Sequence, residues 1–375
     1  MKREIYIGIM TGTSIDAIDI AAAKFMDEQI EIIVTGEYSF TRELQEYLKT
    51  MPFEISLKNL SQLNIRYTEE IGKSVNRFIE ENNIVKSEVI AIGFHGQTLW
   101  HQPTEEPFLG DYKTSTYQLG SATHLAQITC VDVVNDFRTA DMAHGGQGAP
   151  LIPIFDLAFL SDKKIDTVVL NIGGISNITY LPKKGGKDNV IAYDTGPGNC
   201  LIDLAIKKYF NTNFDENGVI ARSGNVCNEI LDKLMNEEYI NQTYPKSTGK
   251  ELFNEGLLSK SGIFEIERKD IITTLTHYTA KSIAHNIDQI ITNEYILKVA
   301  GGGARNSYLF ELLKYYLPNT VIEKATLNGI DISDSREALL MCYLAFLRVN
   351  EIPGNIRSVT GAKKEVMLGS LAKCL

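Results

Sequence analysis

The sequence contains no run of basic residues, no C-x-x-C pair and no apolar stretch long enough to cross a bilayer, and each absence removes a class of function. With nothing to offset a net charge of −10, neither nucleic acid nor an anionic membrane surface is an expected partner. The five cysteines, Cys130, Cys200, Cys227, Cys342 and Cys374, are too scattered for a zinc site or a disulfide framework and suit reduced thiols in a cytoplasmic protein. The longest apolar run, Ala338 to Leu347, falls short of a membrane span. Near the start, Ile5 to Met10 gives way to polar Thr11-Gly12-Thr13-Ser14 too early for a signal peptide. No Gly-Lys-Ser/Thr closes a glycine loop, so a Walker A site is excluded, and a bound phosphate would have to rely largely on backbone amides.

The 375 residues that are present suit two domains, each able to bury a sizeable core. Residues 5 to 25 read as a β-hairpin, Ile5–Met10 and Ile18–Phe25, joined by Thr11-Gly12-Thr13-Ser14-Ile15-Asp16-Ala17. That loop can cradle a phosphate, with Asp16 or Asp19 near a metal, or it can be an ordinary turn. Apolar spacing from Leu60 to Ile79 predicts a long amphipathic helix that serves packing. Val89–Phe94 reads as a strand covered on both faces, ending in His95-Gly96-Gln97-Thr98, where ligands gather in open α/β sheets. His95 either touches ligand there or is a structural hydrogen-bonding residue. A strand end near Tyr117, a helix towards Thr129 and a strand at Val131–Val134 lead into Asn135–Asp141. There Arg138 is either an anion clamp or an internal salt-bridge partner of Asp136 or Asp141. Gly145-Gly146-Gln147-Gly148-Ala149-Pro150 marks a loop and a domain boundary.

The second half repeats the plan. Thr167–Tyr180 reads as strand, Gly173-Gly174 loop and strand, which suggests two related lobes. In Tyr193-Asp194-Thr195-Gly196-Pro197-Gly198-Asn199, Asp194 is expected in the turn between a strand and a helix capped by Asn199. There a helix N-terminus would keep it ionised and able to take a proton, unless it merely closes the turn. Thr248-Gly249-Lys250-Glu251 reads as a capping box, leaving Lys246 in solvent. A long helix over Ile271–Ile291 precedes the strand Tyr295–Ala300, which runs into Gly301-Gly302-Gly303, either a backbone bed for a nucleotide or a tight turn. Asp334-Ser335-Arg336-Glu337 opens a further helix, with Glu337 accounted for by capping.

Taken together, Gly8 to Asp16, His95-Gly96-Gln97-Thr98, Asp136-Phe137-Arg138, Gly145 to Pro150, Asn171-Ile172-Gly173-Gly174, Asp194 to Asn199, Lys246-Ser247-Thr248-Gly249, Gly301 to Gly303 and Pro353-Gly354-Asn355 resemble the motifs of the anhydro-N-acetylmuramic acid kinase family, in order and over nearly the whole chain. The resemblance implies an α/β fold of two ribonuclease-H-like lobes, the superfold of actin, hexokinase and heat-shock-70, about a central ATP cleft. The first lobe would span residues 1–135 with 351–375 packing back, and the second 136–350. It implies ATP and Mg2+ as cofactors, 1,6-anhydro-N-acetylmuramic acid as the amino-sugar substrate, and a possible homodimer. Asp194 matches the family's general base. Phosphates would be positioned by Gly12, Thr13, Ser14, Ile15, Asp16, Ala17, Ile18, Asp19, Gly173 and Gly174, and adenosine by Gly301, Gly302 and Gly303. His95, Gln97, Arg138, Asp141 and Glu337 would face the sugar, with Arg138 on the lactyl carboxylate by reason of its charge. The chain departs from the family at Thr11 and Ala17, where Ser and Gly are usual. It also has Met10 where many relatives in the superfold place an Asp, which leaves Asp16 and Asp19 as candidate metal ligands. Two other functions are compatible with such a scaffold: a sugar kinase acting on a free hydroxyl, or a non-catalytic ATP-gated binding module.

Overall fold

A computed structural model describes residues 4–12, 14–26, 29–52 and 54–374, and the chain divides into two compact units, 1–159 with 335–375, and 160–334. In the first unit, β1 (Ile5–Met10), β2 (Ile18–Met26) and β3 (Gln29–Tyr38) form an antiparallel meander. Two helices follow, α1 (Arg42–Thr50) and α2 (Leu57–Glu81), the latter capped by Ser56, whose hydroxyl accepts from the Asn59 amide. The strand β4 (Val89–Phe94) then lies parallel to β1. A separate two-stranded ribbon, β5 (Gln97–Phe108) and β6 (Asp111–Leu119), precedes α3 (Ala122–Thr129). The short strand β7 (Val133–Asn135) lies parallel to β4, and the unit continues through α4 (Thr139–Ala143) and α5 (Pro153–Phe159). Because β1 and β4 are central and covered on both faces, they read as nearly continuous apolar runs. Tyr67, Ile71, Val75 and Phe78 of α2 recur at helical spacing and pack with Ile7, Ile9 and Ile92.

The second unit repeats this order. The meander β8 (Asp166–Ile172), β9 (Ile175–Leu181) and β10 (Ile191–Pro197) is followed by α6 (Cys200–Phe210). The strand β11 (Tyr295–Ala300) lies parallel to β8, and β12 (Val321–Lys324) parallel to β11. The sheet orders are 7-4-1-2-3 and 10-9-8-11-12, the second starting from its meander edge; the short strand Ser370–Ala372 adds to the free edge of β7. Each sheet therefore has a meander and two parallel strands added beside its first strand, the ribonuclease-H-like order twice over. The helix Arg268–Asp288 packs Ile283 and Ile287 on Val168, Leu170 and Leu297, and its Leu275 and Tyr278 join a second cluster with Leu201 and Ile206.

The second unit is shorter at both ends than the expected 136–350, so the boundaries move inward to 159/160 and 334/335, and glycines give part of the reason. A Cβ on Gly8 would lie 1.9 Å from the Ala338 carbonyl oxygen, and one on Gly93 would lie 2.0 Å from that of Met341. The helix Arg336–Val349 thus rests its backbone directly on β1 and β4, which ties it to the first unit. Phe159 of α5 stacks edge-on with Tyr343 at 4.8 Å between centroids, and buried Asp156 pairs with buried Arg336 through Nε at 2.8 Å. No helix among the described residues is long and apolar enough to cross a membrane.

Candidate active site

In the second unit, Asp194 lies within β10, opposite Asn177, and not in the turn that follows. A register shift between Asp194 and Gly196, with Gly196 at φ +128°, leaves Thr195 between the paired positions and re-aims the chain. Asp194 is half-buried. Its Oδ2 accepts hydrogen bonds from Ser247 Oγ and the Thr248 amide, each at 2.9 Å, and its backbone carbonyl accepts from Tyr239 Oη at 2.8 Å. Burial pushes its carboxyl above the ordinary aspartate range; the Thr248 and Ser247 bonds oppose this, and Glu251 adds to it. Asp194 was expected to be kept ionised by a helix N-terminus; the donors that favour its charged form come instead from residues 247 and 248, and burial acts against them.

The capping box expected at Thr248 to Glu251 is also displaced. Asn254 caps the helix Glu255–Ser261, accepting from the Gly256 and Leu257 amides, which frees Thr248 to serve Asp194. Lys246 is half-buried and not a solvated side chain; its Nζ donates to the Tyr239 and Ile240 carbonyls at 2.9 and 3.3 Å. The same ammonium sits 4.7 Å from the Tyr239 ring centre, and burial lowers its pKa to about 8. Tyr239, Ser247 and Lys250 carry no periodic signal in the sequence and were absent from the expected site.

The Gly173-Gly174 turn docks on the segment that follows Asp194. The amides of Gly198 and Asn199 donate to the Gly174 and Gly173 carbonyls at 2.9 and 2.8 Å, and that of Cys200 to Gly174 at 3.1 Å. Gly198 must be glycine, because a Cβ there would meet the Gly173 oxygen at 2.3 Å. The first amides of α6 are therefore spent on the turn, and Asn199 occupies the cap position without a side-chain cap bond. A Cβ on Gly174 would lie 3.1 Å from Lys250 Cε, so this lysine reaches over the turn as its adjacent cation. Of the three consecutive glycines, Gly301 (φ +80°) and Gly303 are required by packing on β8, where Cβ atoms would meet Asn171 Oδ1 at 2.7 Å and Ile172 Cγ2 at 2.4 Å. Gly302 alone has open space beside it.

In the first unit, Thr13 lies outside the described residues. Around it the loop is pinned from several sides. Gln97 Nε2 donates to the Gly12 carbonyl at 3.3 Å, Gln45 Nε2 to the Ile15 and Asp16 carbonyls at 2.8 and 3.1 Å, and Lys49 Nζ to Asp16 Oδ1 at 2.8 Å. Ile15 and Ile18 are buried in the core, so their side chains do not face a ligand. Ser14 is exposed, and Asp19 pairs with Met10 in the sheet. Ala17, where the family usually has Gly, does not have a positive φ, whereas Ile15 does, at 55°. Gln97 is buried, and while its Nε2 supports the Gly12 loop its Oε1 has no hydrogen-bond partner among the described residues.

His95 is buried, and its Nδ1–H donates to the Gly96 carbonyl at 2.7 Å while Nε2 accepts from Arg138 Nε and Nη2 at 3.3 and 3.0 Å. Burial and the Arg138 charge lower its pKa to about 3, so the ring is neutral in the tautomer these bonds require. Both ring nitrogens are occupied, and His95 orients Arg138. Arg138 also donates from Nη1 to the Gly148 carbonyl at 2.9 Å. Of its five N–H donors, one on each terminal nitrogen remains for a partner. No carboxylate forms an ion pair with Arg138 among the described residues, and burial lowers its pKa to about 10. The salt bridge considered with Asp136 or Asp141 does not form. Asp136 Oδ1 instead accepts from the Thr139 amide and hydroxyl, and fully buried Asp141 accepts from Asn355, Thr360 and the Gly148 amide. Asp141 therefore builds the loop that carries Gly148 and does not face a sugar. Glu337 reaches solvent at the start of its helix, yet surrounding protein raises its carboxyl pKa against the pull of Arg336 and Arg138. Its helix is capped at Ser335 without a side-chain bond, so capping does not account for Glu337.

A pocket of about 160 Å³ opens at the ends of β4 and β7, lined by His95, Gln118, Gly120, Asn135, Asp136 and Thr139 among others. Among the described residues, no three His, Cys, Asp or Glu side chains converge as a metal cage.

The family model described as anhydro-N-acetylmuramic acid kinase matches residues 4–373. The chain is similar to proteins named anhydro-N-acetylmuramic acid kinase from Haemophilus influenzae (39% identical, covering 99% of this chain and 98% of the relative) and Vibrio parahaemolyticus (37%, 98% and 98%). The relative of the same name from Pasteurella multocida is 38% identical over 98% of this chain and 96% of its own. A match that runs unbroken through both units, carrying Asp194, Arg138 and all three glycine turns within it, leaves one assignment: the chain belongs to the anhydro-N-acetylmuramic acid kinase family.

Proposed function

We propose that this protein is an ATP-dependent kinase of cell-wall recycling that opens 1,6-anhydro-N-acetylmuramic acid and phosphorylates its 6-oxygen. The observation that carries the reading is the junction at Asp194. A half-buried carboxyl with a raised pKa and no ion pair among the described residues stands two residues before the Gly196–Gly198 segment that clasps the Gly173-Gly174 turn. A general base and a phosphate turn thus share one rigid piece of the second unit.

In this reading Asp194 takes a proton from water as the water oxygen bonds to the anomeric carbon. The bond from that carbon to the 6-oxygen breaks, and the released oxygen takes the γ-phosphoryl group, giving N-acetylmuramic acid 6-phosphate and ADP. Backbone amides of Gly173 and Gly174, with Lys250 beside them, position phosphate, and the open face at Gly302 suits adenosine. Arg138 is assigned the lactyl carboxylate, because a desolvated guanidinium with only the Glu337 charge acting on it and no ion pair among the described residues gains from an incoming anion. Magnesium, when bound with the nucleotide, neutralises phosphate charge, and Asp16 or Asp19 would complete its shell. A cytoplasmic location accords with the absence of a membrane-spanning helix among the described residues.

The test is turnover in heavy-oxygen water with wild type and Asp194→Asn. The expected wild-type product is a 6-phosphorylated sugar with the label at the anomeric carbon. Loss of a general base lowers kcat by roughly 10²–10⁴ in the variant. Phosphorylation of N-acetylmuramic acid but not of its 1,6-anhydro form would point to a kinase of a free hydroxyl, and no phosphorylated product from either sugar would remove the proposal.

A further inference from the structure

We propose that Lys246-Ser247-Thr248 is the positioning element for Asp194, holding Oδ2 so that Oδ1 is the atom that accepts the proton; this rests on Asp194 acting as the base. The geometry is one-sided. Ser247 Oγ and the Thr248 amide both donate to Oδ2 at 2.9 Å, and no protein donor reaches Oδ1 among the described residues. The segment is itself anchored on both sides of that contact. Lys246 Nζ spans the Tyr239 and Ile240 carbonyls, the Lys246 carbonyl accepts from the Asp194 amide at 3.4 Å, and Tyr239 Oη returns a bond to the Asp194 carbonyl. The lysine's charge is spent on carbonyls and aromatic faces and not on the carboxylate, so the base is oriented without being neutralised by an ion pair.

Two donors on an ionised carboxylate favour its charged form, which offsets part of the cost of burial. The titratable groups facing Asp194 are Glu251 on the same loop, Lys246, and the phenols of Tyr239 and Tyr193, the latter stacked on Tyr244. Burial raises the Tyr239 and Tyr193 phenols, which stay protonated at neutral pH, and Glu251 raises the Asp194 pKa, so the 247 and 248 donors are the groups that pull it down.

The experiment combines pH profiles of kcat/KM with carbon-13 titration of the Asp194 carboxyl in wild type, Ser247→Ala and Ser247→Thr, with Asp194→Asn as control. Removing one charge-assisted donor is expected to move the acid limb and the titration up together by about one pH unit, roughly a tenfold loss on the acid side. The alkaline plateau should remain, and threonine, which keeps the hydroxyl, should restore the limb. A Ser247→Ala enzyme whose titration and acid limb stay in place overturns the strap, as does a loss equal at every pH. Full activity in Asp194→Asn overturns the base reading itself, independently of what Ser247→Ala does to the titration.

Discussion

Replacing Arg138 by methionine removes the proposed anion contact together with three hydrogen bonds to His95 and Gly148, so a comparison of two sugars is needed to isolate the anion contact. The side chain's length and packing are largely kept, and the charge and its donors go. In the structure three donors of this guanidinium are spent on His95 and Gly148, leaving one N–H on each terminal nitrogen for a carboxylate. Truncating one partner of a desolvated, hydrogen-bonded charge pair costs about 2–5 kcal/mol. At 1.4 kcal/mol per factor of ten, a mid-range loss of about 3 kcal/mol is roughly a hundredfold in kcat/KM. The assay compares 1,6-anhydro-N-acetylmuramic acid with 1,6-anhydro-N-acetylglucosamine, which lacks the lactyl group. The methionine variant should lose roughly a hundredfold on the first sugar and little on the second, and Arg138→Lys should fall between, keeping charge without the fork. Equal losses on both sugars would refute the assignment and make Arg138 a general support of the loop around Gly148.

Three further outcomes follow from packing and burial. Gly93→Ala places a Cβ 2.0 Å from the Met341 carbonyl and should lower unfolding free energy by about 1–3 kcal/mol or more in urea titration. Gly302→Ala, with nothing within 4 Å, should leave stability within about 0.5 kcal/mol and instead raise KM for ATP. Asp203 in the first turn of α6 has its pKa raised to about 6, first by burial, with Lys207 and Lys250 opposing. Its folded form binds the proton more tightly than its unfolded form, so stability falls as pH rises from about 4 to about 6. Asp203→Asn should remove that slope and be the more stable protein above pH 6, as followed by thermal unfolding across pH; a parallel slope in both proteins would refute it.

Much of the fold was legible because local patterns and final environments agree. The runs Ile5–Met10, Val89–Phe94 and Thr167–Leu170 are apolar throughout because their strands are sandwiched, and the Leu60–Ile79 periodicity becomes the buried face of α2. The ribbon β5–β6 was missed beyond its end near Tyr117. Pro103, Pro107 and three residues without partners between Gln102 and Glu106 break the alternation that marks a hairpin. The expectations for single residues fared according to whether a neighbour distant in sequence decides them. Asp194, Arg138 and the glycine turns could be picked out by residue type and by position at strand ends. Which residue pairs with which could not, since Ser247 meets Asp194 across 53 positions and His95 meets Arg138 across 43.

By itself the sequence determined the class of protein: a chain of acidic balance, without basic runs, paired cysteines or spanning segments, built from two strand-loop-strand plans with glycines where backbone must pass backbone. Those are matters of composition and of short-range sterics, which each segment carries wherever it is placed. Only the tertiary structure decided that the Arg336–Val349 helix belongs to the first sheet, that His95 serves Arg138, and that Asp194 is held by residues 247 and 248 with its pKa raised and not lowered. Each depends on how far a group is removed from water and which distant donor reaches it, and desolvation and long-range hydrogen bonds exist only once the chain has closed on itself.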